Sequence, residues 1–277
     1  MFNDIYLDEL LISYLKEDMP SGDITTDSII DSSSVSKGRF ISKDEGIIAG
    51  LYVAKRVFQI LDPETIFLNK VSDGDQVKKG QVIAEIEGNT SALLKGERVA
   101  LNLLQHLSGV ATTTYSFSKK IEGFPCRIAD TRKTTPGLRL LEKYAVRVGG
   151  GSNHRISLSD GVLIKDNHIK AAGGIKKAVE LARKKIPHTI KIEVETETIE
   201  EVLEALDAGA DIIMLDNMSI PMMREAVEII NKRALVEASG NVNINNVQEI
   251  ARVGVDIISV GAITHSVKAL DISLKFN

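Results

Sequence analysis

Apolar positions at Ile5, Leu7, Leu10, Leu11, Tyr14 and Leu15 recur with helical spacing, which predicts an amphipathic helix over residues 5–17 ending before Pro20. Residues 21–26, Ser-Gly-Asp-Ile-Thr-Thr, read as a loop entering a strand. Short β segments, Gly46-Ile47-Ile48-Ala49-Gly50 among them, then mix with a predicted helix over residues 51–61. Between residues 71 and 83 apolar positions alternate around the turn glycines Gly74 and Gly80, a structural β unit in which no lysine stands out as a carrier site. Leu93, Leu94, Val99, Leu101, Leu103 and Leu104 give residues 90–106 a buried helical stripe that Ser91 can cap. Ser108-Gly109 interrupts this stripe, which places a domain boundary there and makes residues 111–121 the first helix of a second domain.

From residue 174 the pattern becomes regular, with predicted helices at 174–184, 199–208, 222–232 and 246–253 alternating with strands at 190–194, 212–215, 234–236 and 257–260. An internal echo, Gly209-Ala210-Asp211-Ile212-Ile213 against Gly254-Val255-Asp256-Ile257-Ile258, marks repeated units in which a left-handed glycine ends a helix before a buried strand. Such repeats build a parallel sheet, either doubly wound or curled into a barrel. Strand ends at Asp130, Lys165, Glu195, Asp216, Ser239 and Gly261 carry polar residues or glycine, which favours a ring with its active site at the C-terminal mouth. About six strands are legible, fewer than the eight of a regular barrel.

Composition narrows the class. With 277 residues, 43% of them hydrophobic, the chain can bury a large core. The single Cys126 rules out an internal disulfide framework and fits a reducing, cytoplasmic setting. The acidic, amphipathic start is unlike a signal peptide, and no run of eighteen apolar residues suggests a membrane span. A net charge of −4 and the absence of tryptophan argue against broad nucleic-acid binding.

One stretch departs from the acidic average. Residues 130–168 hold seven Lys or Arg against four carboxylates, with two of the five histidines. A strand ending at Asp130 runs into a Pro- and Gly-broken loop carrying Arg132 and Lys133. Gly149-Gly150-Gly151 leads into His154 and Arg155, and an apolar strand ends at Lys165. If both strands belong to one parallel sheet, these five side chains converge. Glu195 and Asp216 end consecutive strands and can bind ribose hydroxyls or Mg²⁺, or balance the cations. Ser239, Gly240, Asn241, Gly261 and Ala262 follow the last two strands, where barrels often hold phosphate. No P-loop or dinucleotide-binding glycine motif is present.

The runs DTRKTTPGLR, GGGSNHR and LIKDNHI resemble the signature of the quinolinate phosphoribosyltransferase family, and the similarity extends from EDMPSGDITTD through GERVALNLLQHLSGVAT to MLDN, LVEASGN and GVDIISVGAITHS. The resemblance implies an incomplete α/β barrel of about six strands at residues 109–266. Beside it stands an N-terminal α+β domain at residues 1–108, which residues 267–277 rejoin. The implied reaction transfers phosphoribose from phosphoribosyl pyrophosphate to quinolinate with decarboxylation, giving nicotinate mononucleotide, pyrophosphate and CO₂ for NAD biosynthesis. Mg²⁺ is the implied cofactor, met by Glu195 and Asp216 directly or indirectly. By the same carry-over Arg98, Arg132, His154, Arg155 and Lys165 surround the quinolinate carboxylates, and Lys133 leans toward the diphosphate. Lys133, Lys165, Glu195 and Asp216 are the implied catalytic group. Arg98 is expected from a neighbouring subunit, giving a homodimer with shared sites, with further assembly into hexamers left open.

Three other readings stand beside this one. A molybdenum-associated relative shares the TRKT-type motif, but its later segment is expected to lack the lysine of LIKDNH. A Schiff-base aldolase would use Lys165 at an apolar strand end, although the arginines then have less to do. An RNA-binding surface is a third reading, with Tyr144 as its only aromatic.

Overall fold

The computed structural model describes residues 4–276. In chain order the first elements are α1 (Asp4–Asp18), α2 (Ile24–Ile29), β1 (Val35–Ser42), β2 (Gly46–Ile47), α3 (Leu51–Leu61), β3 (Ile66–Asn69), β4 (Gln76–Val77) and β5 (Val82–Asn89). The long helix α4 (Thr90–Lys120) leads to β6 (Arg127–Ala129), α5 (Arg139–Val148), β7 (Val162–Ile164), α6 (Asp166–Ala172) and α7 (Ile175–Arg183). Then follow β8 (Ile192–Thr196), α8 (Ile199–Asp207), β9 (Ile212–Asp216), α9 (Ile220–Ile230), β10 (Leu235–Ser239), α10 (Val247–Val253), β11 (Ile257–Ser259), α11 (Ala262–His265) and β12 (Ile272–Phe276).

Three local expectations are corrected. Residues 24–29 form a helix rather than a strand, because the Asp23 carboxylate accepts from the backbone N–H groups of Thr25 and Thr26 and so caps the first turn. The start of α4 is met by Asn89, whose Oδ1 accepts from Ala92 N at 3.2 Å, rather than by Ser91. The same helix runs without a break through Ser108-Gly109. Gly109 is there for close approach: a Cβ would lie 2.4 Å from the backbone oxygen of Lys268.

Backbone contacts divide the chain into two units, and the division falls inside α4. Among the described residues one unit comprises 4–113, Pro136–Gly149 and 267–276. It holds an antiparallel sheet in the order β12-β1-β5-β3 and the small pair β2-β4. Phe40, Phe58 and Phe67 meet in its core, with ring centroids 5.4–6.4 Å apart. Helix α5 docks through half-buried polar contacts, Glu142 to His106 at 2.8 Å and Tyr144 to Asp73 at 2.5 Å.

The second unit, Thr114–Thr135 with Gly150–Ser266, is a parallel six-stranded sheet in the order β6-β11-β10-β9-β8-β7, an open α/β barrel. Alternation along each strand decides what goes where. Val194, Ile213, Leu215, Val236, Ala238 and Ile258 are buried against α7–α10, which offer Val179, Val202, Ala205, Met223, Ala226 and Ile250. The opposite face puts Glu193, Glu195, Met214, Asp216, Glu237, Ser239 and Ser259 inside the ring.

The repeated Gly-x-Asp-Ile-Ile stretches do the same work at the bottom of the barrel. Asp211 Oδ2 accepts from Ile192 N at 2.8 Å, and Asp256 Oδ2 accepts from Val236 N at 2.8 Å, so each aspartate holds the first residues of the preceding strand. Gly209 and Gly254 take φ of +77° and +98°, the left-handed turns that precede them. The edge strands β6 and β7 are joined by the segment after α5. Ser152 N donates to Ile128 O, Asp130 N donates to Ser152 O, and Arg155 Nη1 donates to Gly161 O. Among the described residues no helix is long and apolar enough to cross a membrane.

Candidate active site

The C-terminal strand ends surround a cavity of about 590 Å³. Arg132 and Lys133 reach it from the loop after β6, His154 and Arg155 from the joining segment, and Lys165 from the end of β7. Glu195, Asp216 and the Ser239-Gly240-Asn241 turn face them from β8, β9 and β10. The cavity is therefore polarised, with cations on the β6 and β7 side and carboxylates opposite.

The cationic island does not act as one body. Arg132, Lys133, Arg155 and Lys165 line the cavity, whereas Arg139, Lys143 and Arg147 belong to α5 in the other unit. His168 accepts from Lys165 N at 3.0 Å through Nδ1 and so closes the first turn of α6. Arg98 is exposed on α4 in the first unit.

Each cation is set differently. Arg132 Nε is buried without a hydrogen-bond partner. Burial, and after it the charge of Arg132, holds the Arg155 guanidinium below its ordinary value, so this pair gains from an anion placed between them. The Lys133 carbonyl accepts from the buried Thr264 hydroxyl at 2.7 Å, which fixes the loop while leaving the ammonium exposed. Lys165 is exposed and pairs with Glu195 at 2.6 Å. That ion-paired position differs from the apolar setting an imine-forming lysine would use.

His154 is held at both ring nitrogens. Nδ1 accepts from Arg155 N at 2.8 Å, and Nε2 lies 3.0 Å from Glu193 Oε2. Its own backbone N–H donates to Asp130 Oδ1 at 2.8 Å, while Asn153 Nδ2 donates to Oδ2 at 2.6 Å. Asp130 is fully buried, so this carboxylate anchors the whole joining segment.

Beneath the cavity lies a group that sequence reasoning missed. Glu193 and Glu237 are 4% and 1% exposed, and each keeps Oε1 without a hydrogen-bond partner. Burial first and the charge of Glu193 second push the Glu237 carboxyl up to about 7, against the opposing pull of His154, Ser259 and Arg127. Donor atoms of His154, Glu193 and Glu237 lie within 4.8 Å of one another. With Nδ1 accepting, Nε2 carries the proton that faces Glu193, and Arg155 and Arg127 act on the two carboxylates. The group is a compact polar cluster under cationic influence. Strand alternation was the available signal, since Glu193 shares a face with Glu195 two residues on.

The turn after β10 has its own missed partner. Asn217 and Asn241 take φ of +54° and +51°, and Asn241 Nδ2 donates to Asn217 Oδ1 at 2.8 Å. Asn217 Nδ2 donates in turn to Asp216 at 2.7 Å. Gly240, at φ +86°, is required, because a Cβ would fall 2.7 Å from Asn217 N. Gly261 and Ala262 follow β11 and are not among the residues lining the cavity. A Cβ on Gly261 would stand 3.1 Å from Lys133 Cδ, so that glycine makes room for the lysine stem.

Comparison with known proteins gives a family match over both halves. Residues 110–275 match the family model for "Quinolinate phosphoribosyl transferase, C-terminal domain", and residues 23–108 match that for the N-terminal domain. A curated relative from Bacillus subtilis (strain 168), "Probable nicotinate-nucleotide pyrophosphorylase [carboxylating]", is 46% identical over 98% of this chain and 94% of its own. "Quinolinate phosphoribosyltransferase [decarboxylating] 2b, mitochondrial" of Nicotiana tabacum is 45% identical over 98% of this chain and 82% of its own. The crystal structure of NadC from Streptococcus pyogenes superposes with a TM-score of 0.96 at 43% identity, covering 100% of this chain and 98% of that one.

Proposed function

Because the chain belongs to the quinolinate phosphoribosyl transferase family and carries both of its domains, we propose that the barrel cavity is where quinolinate meets phosphoribosyl pyrophosphate. The protein is a pentosyltransferase of NAD biosynthesis. It joins the phosphoribosyl group to quinolinate and releases pyrophosphate and CO₂, leaving nicotinate mononucleotide.

The observation that carries the site assignment is the polarised cavity, with Arg132, Lys133, Arg155 and Lys165 facing Glu195 and Asp216. Quinolinate brings two adjacent carboxylates, and an arginine pair in which Arg132 keeps a buried Nε without an acceptor is suited to clamp them in bidentate fashion. Clamping presents the ring nitrogen to the anomeric carbon of the ribose. Lys133, with its backbone fixed and its ammonium exposed, meets the diphosphate as a point charge. Glu195 and Asp216 face the ribose hydroxyls and stabilise positive charge developing on the sugar as the leaving group departs. The Ser239-Gly240-Asn241 turn takes the 5-phosphate, with Gly261 and Ala262 after the next strand completing that end, while Gly261 also makes room for the Lys133 stem. His154, engaged at both nitrogens, orients Arg155 rather than acting as a base.

Mg²⁺ is part of this reading. Two hard oxygen donors at neighbouring strand ends, Glu195 and Asp216, fit a cation that takes one or two carboxylates plus phosphate oxygens. Bound there, it supplies charge neutralisation for the diphosphate. The reading also includes a homodimer in which Arg98 reaches the partner's cavity, supported by its exposure on α4 and its match to the family motif, and a reducing compartment, supported by the single free Cys126.

A discontinuous assay with quinolinate, phosphoribosyl pyrophosphate and Mg²⁺ tests the function. Nicotinate mononucleotide and CO₂ are expected in equal amounts; folded protein that forms neither would overturn it.

A further inference from the structure

Loss of the 2-carboxyl group leaves a chemical requirement that the cations do not meet. When the bond from C2 to the carboxylate breaks, its electron pair stays on C2 beside the cationic ring nitrogen. CO₂ departs, and C2 must gain a proton. Arginines keep their protons at neutral pH, Lys165 is tied to Glu195, and Lys133 faces the diphosphate in the transferase reading on which this inference rests.

Glu237 is placed differently. It lines the floor of the substrate cavity and also a second cavity of about 240 Å³ behind it. Arg127, Asp160, Gly161 and Lys191 line that rear cavity on the far side. The side chain is 1% exposed, and its Oε1 has no hydrogen-bond partner. Charged and polar groups face it from every side: Glu193 from β8, His154 from the joining segment, Arg127 from β6 and Ser259 from β11.

We propose that Glu237 is the carboxylic acid that protonates C2 once CO₂ has left, and that the rear cavity reloads it from solvent. In that step the O–H bond of Glu237 breaks and the C2–H bond forms, leaving a carboxylate. A proton from solvent or buffer then reaches the carboxylate through the rear cavity while product still fills the front. Burial and the Glu193 charge favour the protonated form needed at neutral pH.

Glu237→Gln keeps the volume and removes the acid. In a single turnover of the full chain with quinolinate, phosphoribosyl pyrophosphate and Mg²⁺, pyrophosphate and nicotinate mononucleotide are followed separately. Pyrophosphate release is expected within roughly threefold of wild type, while nucleotide formation slows by about 10²-fold or more and Glu237→Asp recovers part of it. Nucleotide formation by Glu237→Gln at the wild-type rate from pH 6 to 8 would overturn the assignment. Gly161→Phe keeps the proposal testable if Glu237 variants fail to fold, since a Cβ at Gly161 meets nothing within 4 Å and the residue lines only the rear cavity. Its first turnover should match wild type and its later turnovers should be slower; unchanged steady state would sink the rear route. Wild-type protein that releases neither pyrophosphate nor nucleotide marks failure of the transferase reading itself, a different result from an active enzyme with unaffected variants.

Discussion

Lys165 Nζ donates to Glu195 Oε2 at 2.6 Å, joining the ends of β7 and β8 at the cavity wall. The substrate's anionic groups therefore compete with Glu195 for this ammonium. Lys165→Ala should lower kcat/KM by at least about 10²-fold, the scale of losing one charged group at a developing charge. Because the Lys165 ammonium stands in solvent, although Glu195 beside it is mostly buried, urea unfolding should move by no more than about 1–2 kcal/mol. A folded, fully active variant would remove Lys165 from the site.

Shared sites predict complementation. Arg98→Ala and Lys165→Ala should each be inactive alone, while a one-to-one mixture after subunit exchange should recover up to about a quarter of wild-type activity, one intact site in half of the dimers. No recovery after exchange confirmed by mass spectrometry would contradict a contribution of Arg98 across subunits.

Asp130 anchors the segment that joins the barrel edges through Asn153 and His154. Asp130→Ala should cost about 2–4 kcal/mol, since it strips a fully buried carboxylate of its role and leaves two donors unsatisfied. Chemical denaturation measures this, and a loss under 1 kcal/mol would show that the segment is held elsewhere.

Gly240→Ala places a Cβ against Asn217 at a positive φ. Strain of about 1–3 kcal/mol is expected, with a raised KM for phosphoribosyl pyrophosphate and little change in KM for quinolinate. Equal effects on both substrates would argue against a phosphate role for this turn.

Glu237 makes stability pH-dependent in a known direction. Its folded-state carboxyl titrates near about 7, above the ordinary 4.5, so its contribution is fully present below pH 4.5 and is lost as pH rises through 7. The loss amounts to about 3 kcal/mol. Glu237→Gln should flatten that part of the profile, and parallel slopes for the two proteins between pH 5 and 8 would refute the shift.

The periodic half of the chain was legible because α/β units repeat and their strand ends fall where polar residues interrupt apolar runs. Convergence of Arg132, His154, Arg155 and Lys165 followed from placing β6 and β7 in one sheet. Glycine was harder to read. Gly109 looked like a helix break, yet it lies mid-helix because another backbone passes close by, which no local pattern encodes. The start of α2 was missed because the side-chain cap from Asp23 outweighs the β-branched residues that follow. Glu193 and Glu237 escaped because a carboxylate on a strand looks the same whether it faces water or the inside of a ring.

The paired aspartates at the bottom of the barrel limit where this chain can change length. Asp211 and Asp256 clamp neighbouring strands by both side chain and backbone, so one residue gained or lost between Gly254 and Ile257 would turn the inward and outward faces of β11 over. Insertions in the loops at the mouth carry no such penalty. Insertions before Ile212 or Ile257 should therefore fail, so the end far from the chemistry is closed to changes in length.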